Sequence, residues 1–419
     1  MINIPKGTKD VLPSESYKWQ YVEKAARDLC SLYNIKEIRT PVFEHTELFL
    51  RNIGETSDIV NKEMYTFLDK GGRSITLKPE GTAGVVRSFI ENGLNNSQMP
   101  LKMFYFTPVF RYERPQGGRL REHHQFGIEV FGADLPQLDA ELIEFADLFF
   151  KGLGIKNLEL FINSIGCGEC RPKYNAVLKD YFKKNIDTMC AVCKDRLEKN
   201  PLRILDCKEE VCSKINENAP KTVDYLCDDC RNHFEKFQTI LKDKKIGFKI
   251  NPKIVRGLDY YTKTVFEFVS ENLGAKSTVL GGGRYNGLVE KSGGKPTPAI
   301  GFGMGIERLL LILENLKIEI KRPELNLYIA NLEGFENNTM ELAGFFRKNG
   351  ITCETDLTNR NLKSQFKYAD NIKAKYVLVI GDDEVKTKVL TLKEMSTGTE
   401  QKLSKEQIIE IIKFSNTND

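Results

Sequence analysis

The sequence predicts an α+β protein. A mostly antiparallel sheet is flanked by helices, carries a small helical cysteine-rich insertion, and is followed by a compact α/β domain. Three observations carry this expectation. Strand-like runs at Lys102–Tyr112, Phe126–Phe131, Val265–Val269, Ser277–Leu280 and Pro298–Gly303 are interleaved with helical stretches in an order that suits an antiparallel sheet with helices around it. Eight of the ten cysteines fall between Cys167 and Cys230. Beyond the polar linker Lys321-Arg322-Pro323-Glu324 the pattern changes to β-α-β-α-β. The expected boundaries are 1–166 and 241–322 for the two parts of the main domain, 167–240 for the insertion and 323–419 for the last domain.

In chain order, residues 14–33 carry apolar and aromatic residues at helical spacing, with Ser14 as the expected N-cap. Ile38–Phe43 reads as a strand interrupted by Pro41, which cannot donate to a ladder and so belongs at an edge or an interface. Met64–Leu68 and Ser74–Leu77 flank Lys70-Gly71-Gly72-Arg73 as a hairpin. Pro79 is expected to open a helix that Gly93 closes. After the two long strand-like runs come a helix at 137–151 and a strand at Leu158–Ile162. A helix from about Gly305 to Leu316 ends the main domain. In the last domain the strands are Leu325–Ala330, Ile351–Glu354 and Tyr376–Ile380, and the helices are 336–348 and 361–373.

The chain has 419 residues, 41% hydrophobic and 29% charged, as in ordinary globular proteins. No apolar run approaches a membrane span, and the first residues lack a secretion-signal layout, so a cytoplasmic protein is expected. The net charge is +4, and residues 321–419 balance 15 basic against 15 acidic side chains. Any phosphate-binding surface must therefore come from local arrangement.

Four segments carry chemistry. Arg256-Gly257-Leu258-Asp259-Tyr260-Tyr261 combines a permanent cation, a carboxylate and two phenols, suited to holding a small polar substrate beside a phosphate; a surface loop is the competing reading. Phe110–Glu129 places Arg111 and Glu113, then Gln125 and Glu129, near or on two strands. A sheet face with those groups is costly unless it lines a site, although a solvated face of alternating charge would have the same pattern. His123 and His124 suit loop polar residues better than metal ligands. Ala299–Leu311 runs a glycine-rich strand into a helix that begins Glu307-Arg308, and Leu280-Gly281-Gly282-Gly283-Arg284-Tyr285 implies backbone packed close on a ligand or, alternatively, a flexible turn. Neither is a P-loop or a dinucleotide fingerprint.

These segments, in this order, closely resemble the class II aminoacyl-tRNA synthetases, and specifically the histidyl-tRNA synthetase family of bacterial type. Phe110–Glu129 and Gly301–Leu309 resemble the second and third class motifs. The Pro41 segment resembles the first, which lies at a dimer interface. Arg256–Tyr261 and Gly282–Tyr285 resemble the two signatures of the histidine enzyme. Lys78-Pro79-Glu80-Gly81-Thr82 and Pro5-Lys6-Gly7-Thr8-Lys9-Asp10 match it too. The resemblance implies a homodimer that uses ATP with Mg2+, L-histidine and tRNA(His), with a C-terminal anticodon-binding domain. It implies that Arg111 and Arg256 hold the α-phosphate, Arg308 the γ-phosphate, and Glu113 the adenine amino group. Glu80, Thr82 and Gln125 would bind the α-amino group, and Glu129 and Tyr261, with Tyr260 beside it, the imidazole. Arg114 and Gln116 would meet the extra 5′ nucleotide of the tRNA.

Asn200–Asp206 matches the bacterial insertion, but many relatives lack some of its cysteines. The pairs Cys167-x2-Cys170, Cys190-x2-Cys193 and Cys227-x2-Cys230 have zinc-knuckle spacing. The expected ligands of a structural Zn2+ are Cys190, Cys193, Cys227 and Cys230, two pairs flanking a helical segment. The other four cysteines would form a second site or stay free, and a plain helical domain with reduced thiols is the alternative. Two further functional readings are weighed. A catalytically silent paralogue regulating histidine biosynthesis would typically lose the insertion, the last domain and much of the Arg256 segment, all of which are present. A zinc-dependent RNA-binding module leaves the paired arginines and glycine loops unexplained.

Overall fold

The computed structural model describes residues 2–54, 57, 59–115, 119–271 and 277–418. The chain divides into two compact units, 1–320 and 321–419. The first begins with α1 (Ser16–Leu32), whose Val22, Ala26 and Cys30 recur four apart and are buried. Then follow β1 (Lys36–Glu37), β2 (Phe43–His45), α2 (Thr46–Ile53), β3 (Tyr65–Leu68), β4 (Ser74–Leu77), α3 (Thr82–Glu91), β5 (Leu101–Phe110), β6 (Glu122–Phe131), α4 (Pro136–Gly152) and β7 (Leu158–Ser164). The cysteine-rich stretch supplies α5 (Cys170–Lys183), α6 (Ala191–Lys199), α7 (Glu210–Glu217) and α8 (Asp228–Asp243). The unit closes with β8 (Lys249–Ile250), β9 (Thr262–Ser270), β10 (Ser277–Arg284), α9 (Leu288–Lys291), β11 (Ala299–Gly305) and α10 (Ile306–Asn315).

Among the described residues, eight strands form one sheet in the order β1-β5-β6-β11-β10-β9-β7-β8. Its central pairs are antiparallel, and only the edge pairs β1–β5 and β7–β8 are parallel. The two faces of this sheet differ in kind. One face carries Phe104, Phe126, Ile128, Phe266, Phe268, Ile300 and Phe302, which form the main core with apolar residues of α1, α4, α8 and α10. On the other face the register lines up Glu267, Gly281, Gly303, Gly127 and Tyr105, and beside them Val265, Gly283, Gly301, Glu129 and Met103. Side chains alternate between faces along a strand, so this glycine-rich face is fixed once the apolar face is buried.

Three local expectations are corrected. Ile38–Phe43 is not one strand: β1 ends at Glu37 and β2 joins a separate sheet, β2-β4-β3. Ile38 still donates to Phe104 O, but Pro41 has no N–H to continue the ladder and the chain turns away. The helix after Pro79 starts at Thr82, because the Glu80 carboxylate accepts from the N–H groups of Thr82 and Ala83, each at 2.8 Å, and satisfies the first turn there. Ser14 does not cap α1, which begins at Ser16 without a side-chain cap.

Residues 167–240 lie within the first unit. The stretch around α5, α6 and α7 has its own core of Tyr174, Leu178, Phe182, Leu197 and Ile204. Phe234, Phe237 and Leu241 of α8 instead belong to the main core. At that junction Arg284, fully buried, brings Nη2 to 2.5 Å from Asp139 Oδ1 as a charge contact, and donates to the carbonyls of Ala133 and Leu135. His233 Nε2 lies 2.8 Å from Asp139 Oδ2, so this histidine serves the α4–α8 contact and not the cysteines.

The second unit contains β12 (Leu325–Asn331), α11 (Glu336–Lys348), β13 (Cys353–Thr355), α12 (Leu362–Asn371), β14 (Ala374–Ile380), α13 (Asp382–Thr387), β15 (Leu390–Glu394), β16 (Glu400–Leu403) and α14 (Lys405–Asn418). Its sheet order is β13-β12-β14-β15-β16, parallel through β14 and antiparallel beyond. Asn361 caps α12 by accepting from Ser364 N, and buried Gln365 locks that helix to the end of β12 through Asn331 N and O.

Replacing Arg284 by methionine keeps most of the volume but leaves the Asp139 carboxylate buried without its main countercharge. Denaturant unfolding of the first unit should show a loss of about 3–5 kcal/mol, partly recovered by adding Asp139→Asn.

Candidate functional site

A cleft of about 330 Å3 opens over the glycine-rich face and is lined by Arg111, Glu113, Arg119, His123, Gln125, Arg256, Arg308, Gly281 and Gly303. Five of the residues expected from sequence therefore meet in one cavity: Arg111, Glu113, Gln125, Arg256 and Arg308. Arg111 leaves the end of β5 and anchors its Nε on Pro79 O at 2.8 Å, with Glu113 Oε1 3.9 Å from Nη1. Arg308, at the start of α10, donates to Thr278 O. Burial and the neighbouring Arg119 pull the Arg308 pKa down, and burial with Arg111 and Arg308 pushes His123 down to about 3. His123 is therefore neutral in a strongly positive cleft, which suits a polyanion.

Arg256 has an unusual setting. Its backbone φ is 58°, in the left-handed region that non-glycine residues rarely occupy. Its guanidinium lies over Gly281, where any Cβ would collide with it, and pairs with Glu267 of β9. Burial lowers its pKa, but Glu267 and Tyr261 together outweigh burial and the net shift is upward. Thr278 Oγ1 holds the other Glu267 oxygen at 2.9 Å. Arg256 Nε is buried and has no hydrogen-bond partner among the described residues. The glycine run is thus a strand cut away to admit a side chain, not a flexible turn. Gly301 and Gly303 act likewise toward the Glu129 carboxylate and the Gln125 amide.

Behind the cleft lies a closed polar cluster. Glu129, 1% exposed, accepts from Thr82 Oγ1 at 2.6 Å, from Tyr105 Oη at 3.2 Å and from Tyr285 Oη. Burial pushes its carboxyl up to about 8 against the Thr82 and Tyr285 donors, and Glu80 adds repulsion. Burial likewise raises Glu80, opposed by its helix N–H donors. The Tyr260 and Tyr261 rings lie 4.7 Å apart, tilted by 43°, Tyr260 meets Tyr285 edge-on at 5.7 Å, and the Arg256 guanidinium sits 5.7 Å from the Tyr261 ring. Gln125 links cleft and cluster, its Oε1 accepting from Gly81 N at 3.0 Å. Glu80, Thr82, Glu129, Tyr260 and Tyr261 therefore gather here and not in the open cleft.

Other expectations fare differently. Arg114 is exposed on the loop after β5, and Gln116 lies outside the described residues. His123 and His124 stand on β6, not in a loop; His124 N and Nδ1 meet the Glu307 carboxylate. The expected zinc set is corrected. Cys190 and Cys193 group with Cys207 and Cys212, whereas Cys227 and Cys230 group with Cys167 and Cys170. Local spacing identifies each Cys-x2-Cys pair, but the path of α6 and α7 decides which pairs meet. Sequence reasoning also missed Glu267, Arg119, Tyr105 and Tyr285 as parts of the site. Glu267 left a signal: it is the lone charge inside the apolar run Val265–Val269.

A glycine-floored cleft of arginines thus opens toward a closed chamber of carboxyls and hydroxyls on an antiparallel sheet. The sequence profile described as histidyl-tRNA synthetase matches residues 7–309, and that described as anticodon binding domain matches residues 326–414. The chain belongs to the histidyl-tRNA synthetase family. It is 56% identical over 411 residues to a histidine–tRNA ligase of Thermoanaerobacter pseudethanolicus, covering 98% of each chain. It is 56% identical over 414 residues to that of Acetivibrio thermocellus, covering 98% of this chain and 99% of the relative. The crystal structure of apo histidyl-tRNA synthetase from S. aureus superposes with a TM-score of 0.84 at 40% identity, covering 99% of this chain and all of the other.

The raised Glu129 pKa has a defined consequence for stability. A carboxyl whose folded value lies above its unfolded one keeps its proton in the folded state; its contribution is complete below about pH 4.5 and is lost as pH rises through about 8. The stability difference between the ligand-free protein and its Glu129→Gln variant should therefore shift against the parent between pH 5 and pH 8, as followed by denaturant midpoints.

Proposed function

We propose that this chain is a histidine–tRNA ligase that activates L-histidine with ATP and transfers it to the 3′ end of tRNA(His). The observation that carries the proposal is the junction of two compartments: a cationic cleft holding Arg111, Arg256 and Arg308, and the buried Glu129 cluster, joined at Gln125.

The histidine carboxylate oxygen attacks the α-phosphorus. A new C–O–P bond forms, the bond from the α-phosphorus to the bridging oxygen breaks, and pyrophosphate leaves. A ribose hydroxyl of the tRNA then takes the acyl group and AMP departs. Negative charge grows on the α-phosphate oxygens in the transition state, so cations already in place lower the barrier without reorganising. Arg111 and Arg256 are assigned to that phosphate. The Arg256 guanidinium, lining the cleft over Gly281, and the Arg111 fork, held by its Pro79 anchor, support this. Arg308 is assigned to the γ-phosphate and Glu113 to the adenine amino group. Magnesium accompanying the nucleotide would neutralise part of the phosphate charge. The carboxylates that line the cleft, Glu113 and Glu307, already face Arg119 and His124, so the ion is expected to arrive with the nucleotide.

Glu80, Thr82 and Gln125 are assigned to the substrate α-amino group, and Glu129 and Tyr261, beside Tyr260, to the imidazole nitrogens. A closed chamber lined by a carboxyl and phenols disfavours side chains that cannot exchange hydrogen bonds with them. Arg114 and Gln116 are assigned to the tRNA acceptor end. Structural zinc in the insertion and a cytoplasmic location belong to the same proposal; no helix among the described residues is long and apolar enough to cross a membrane. The silent-paralogue reading is not favoured, since the Arg256 segment, the insertion and the second unit are all present.

Histidine-dependent ATP–pyrophosphate exchange tests the proposal, and its absence in folded protein would end it. Arg256→Ala should lower the exchange rate by roughly 10²–10³ with a smaller change in KM for ATP.

A homodimer is also proposed. Phe43, Phe67 and Leu68 of the β2-β4-β3 sheet are 53%, 48% and 70% exposed, an apolar surface suited to a partner copy. Light scattering at micromolar concentration should give twice the 47.8 kDa chain mass. A fully active monomer would contradict it.

A further inference from the structure

The eight cysteines of the insertion form two separate groups of four, and within each group all sulfur atoms lie within 4.8 Å of one another. In the first, Cys167 Sγ is 3.7 Å from Cys170 Sγ and 3.8 Å from Cys227 Sγ, and Cys230 completes the set. In the second, Cys190 Sγ is 3.9 Å from Cys207 Sγ, with Cys193 and Cys212 completing it. A disulfide would need about 2.05 Å. Four thiolates at about 2.3 Å from one zinc ion sit about 3.8 Å apart along the tetrahedron edges. The spacing fits a single ion. Cys227 N donates to Cys170 Sγ at 3.1 Å and Cys190 N to Cys212 Sγ at 3.4 Å, which suits sulfurs that carry charge.

Each group also presents an arginine to the segment 256–261. Arg171, next to Cys170, donates to the carbonyl of Tyr261. Arg203, four residues before Cys207, donates to the carbonyl of Arg256 at 2.9 Å, and Asn200 Nδ2 donates to Asp259 Oδ1 at 3.1 Å. Arg203 is buried and Arg171 half-buried between the insertion and the segment they hold. The segment needs such holding, because left-handed backbone at a non-glycine residue persists only where its surroundings enforce it.

We propose that the insertion binds two zinc ions, one in Cys167/Cys170/Cys227/Cys230 and one in Cys190/Cys193/Cys207/Cys212, and that these fix Arg171 and Arg203 as positioning residues clamping the two ends of the Arg256–Tyr261 segment. The insertion then acts on adenylation from outside the cleft. Its metals never touch substrate; they set where the Arg256 guanidinium and the Tyr261 ring stand. The clamp rests on the activity proposed above, whereas the metal sites do not.

Metal analysis of the full chain purified without chelator should find two zinc ions per chain, and zinc X-ray absorption should show four sulfurs at about 2.3 Å. Fewer than two, another metal in their place, or a nitrogen or oxygen ligand overturns the sites. Cys207→Ser should retain one zinc, and loss of both in folded protein would contradict two independent groups. Arg203→Ala and Arg171→Ala should keep both zinc ions and a cooperative unfolding transition. Their exchange kcat should fall by roughly ten- to a hundredfold, with KM for ATP changed far less, and Arg203→Lys should recover part of the loss. Exchange within twofold of the parent in both alanine variants overturns the clamp. A parent protein with two zinc ions and no histidine-dependent exchange would remove the proposed activity and the clamp together while leaving the metal sites standing.

Discussion

A guanidinium can be kept inside a protein only where a countercharge meets it and the backbone makes room. Arg256 has both, and the rest of the site is arranged around that fact. Glu267 supplies the charge from the neighbouring strand, and Gly281 supplies the space. The same device recurs along the sheet, where Gly301 admits Glu129 and Gly303 admits Gln125. A sheet with one face of phenylalanines and isoleucines and one face of glycines is the result. The apolar face provides the burial that stabilises the unit, and the glycine face carries costly polar groups close to a rigid floor.

Rigidity of that floor matters for the chemistry. Transition-state charge is best met by donors that need no rearrangement, and strands position side chains more tightly than loops do. Arg111, Gln125 and Glu129 stand on or beside such strands. Arg256 does not; it sits on a loop in strained backbone, and its position is inherited from Glu267 and from the insertion. That difference explains why a cysteine-rich excursion away from the nucleotide motifs bears on the cleft at all. The closed cluster around Glu129 works by the opposite means. There, desolvation keeps a carboxyl protonated near neutral pH, so the chamber can exchange hydrogen bonds with a substrate ring without holding a full buried charge.

Much of this was legible in the chain, and for identifiable reasons. Period-3.6 and period-2 patterns located α1, α4, α10 and the long strands to within a few residues, because burial of one face imposes those patterns locally. Arg111, Glu113 and Gln125 stand out as charged or polar groups on or near strands, Arg256 by its grouping with Asp259 and two tyrosines, and Arg308 by its place where a glycine-rich strand enters a helix. The hairpin β15–β16 and helices α13 and α14 were not read at all; β16 in particular is short and largely exposed, with little apolar periodicity to betray it. The Pro41 segment reads as one strand because both of its ends are extended, and nothing in its residues says that they join different sheets.

The sequence by itself determined the class of fold, the chemical character of the cleft and the presence of metal-type cysteine pairs, since each depends on residues close together in the chain. Tertiary structure alone decided which distant groups meet. Glu267 comes to Arg256 through the register of β9 against β10; Tyr105 comes to Glu129 from the adjacent strand β5, and Tyr285 from just beyond the end of β10, two strands away. Cys190 and Cys193 are matched with Cys207 and Cys212, and not with Cys227 and Cys230, by the packing of the insertion's own core. Strand register and helix packing are settled by burying the whole apolar surface at once, a global balance that no short stretch of sequence records.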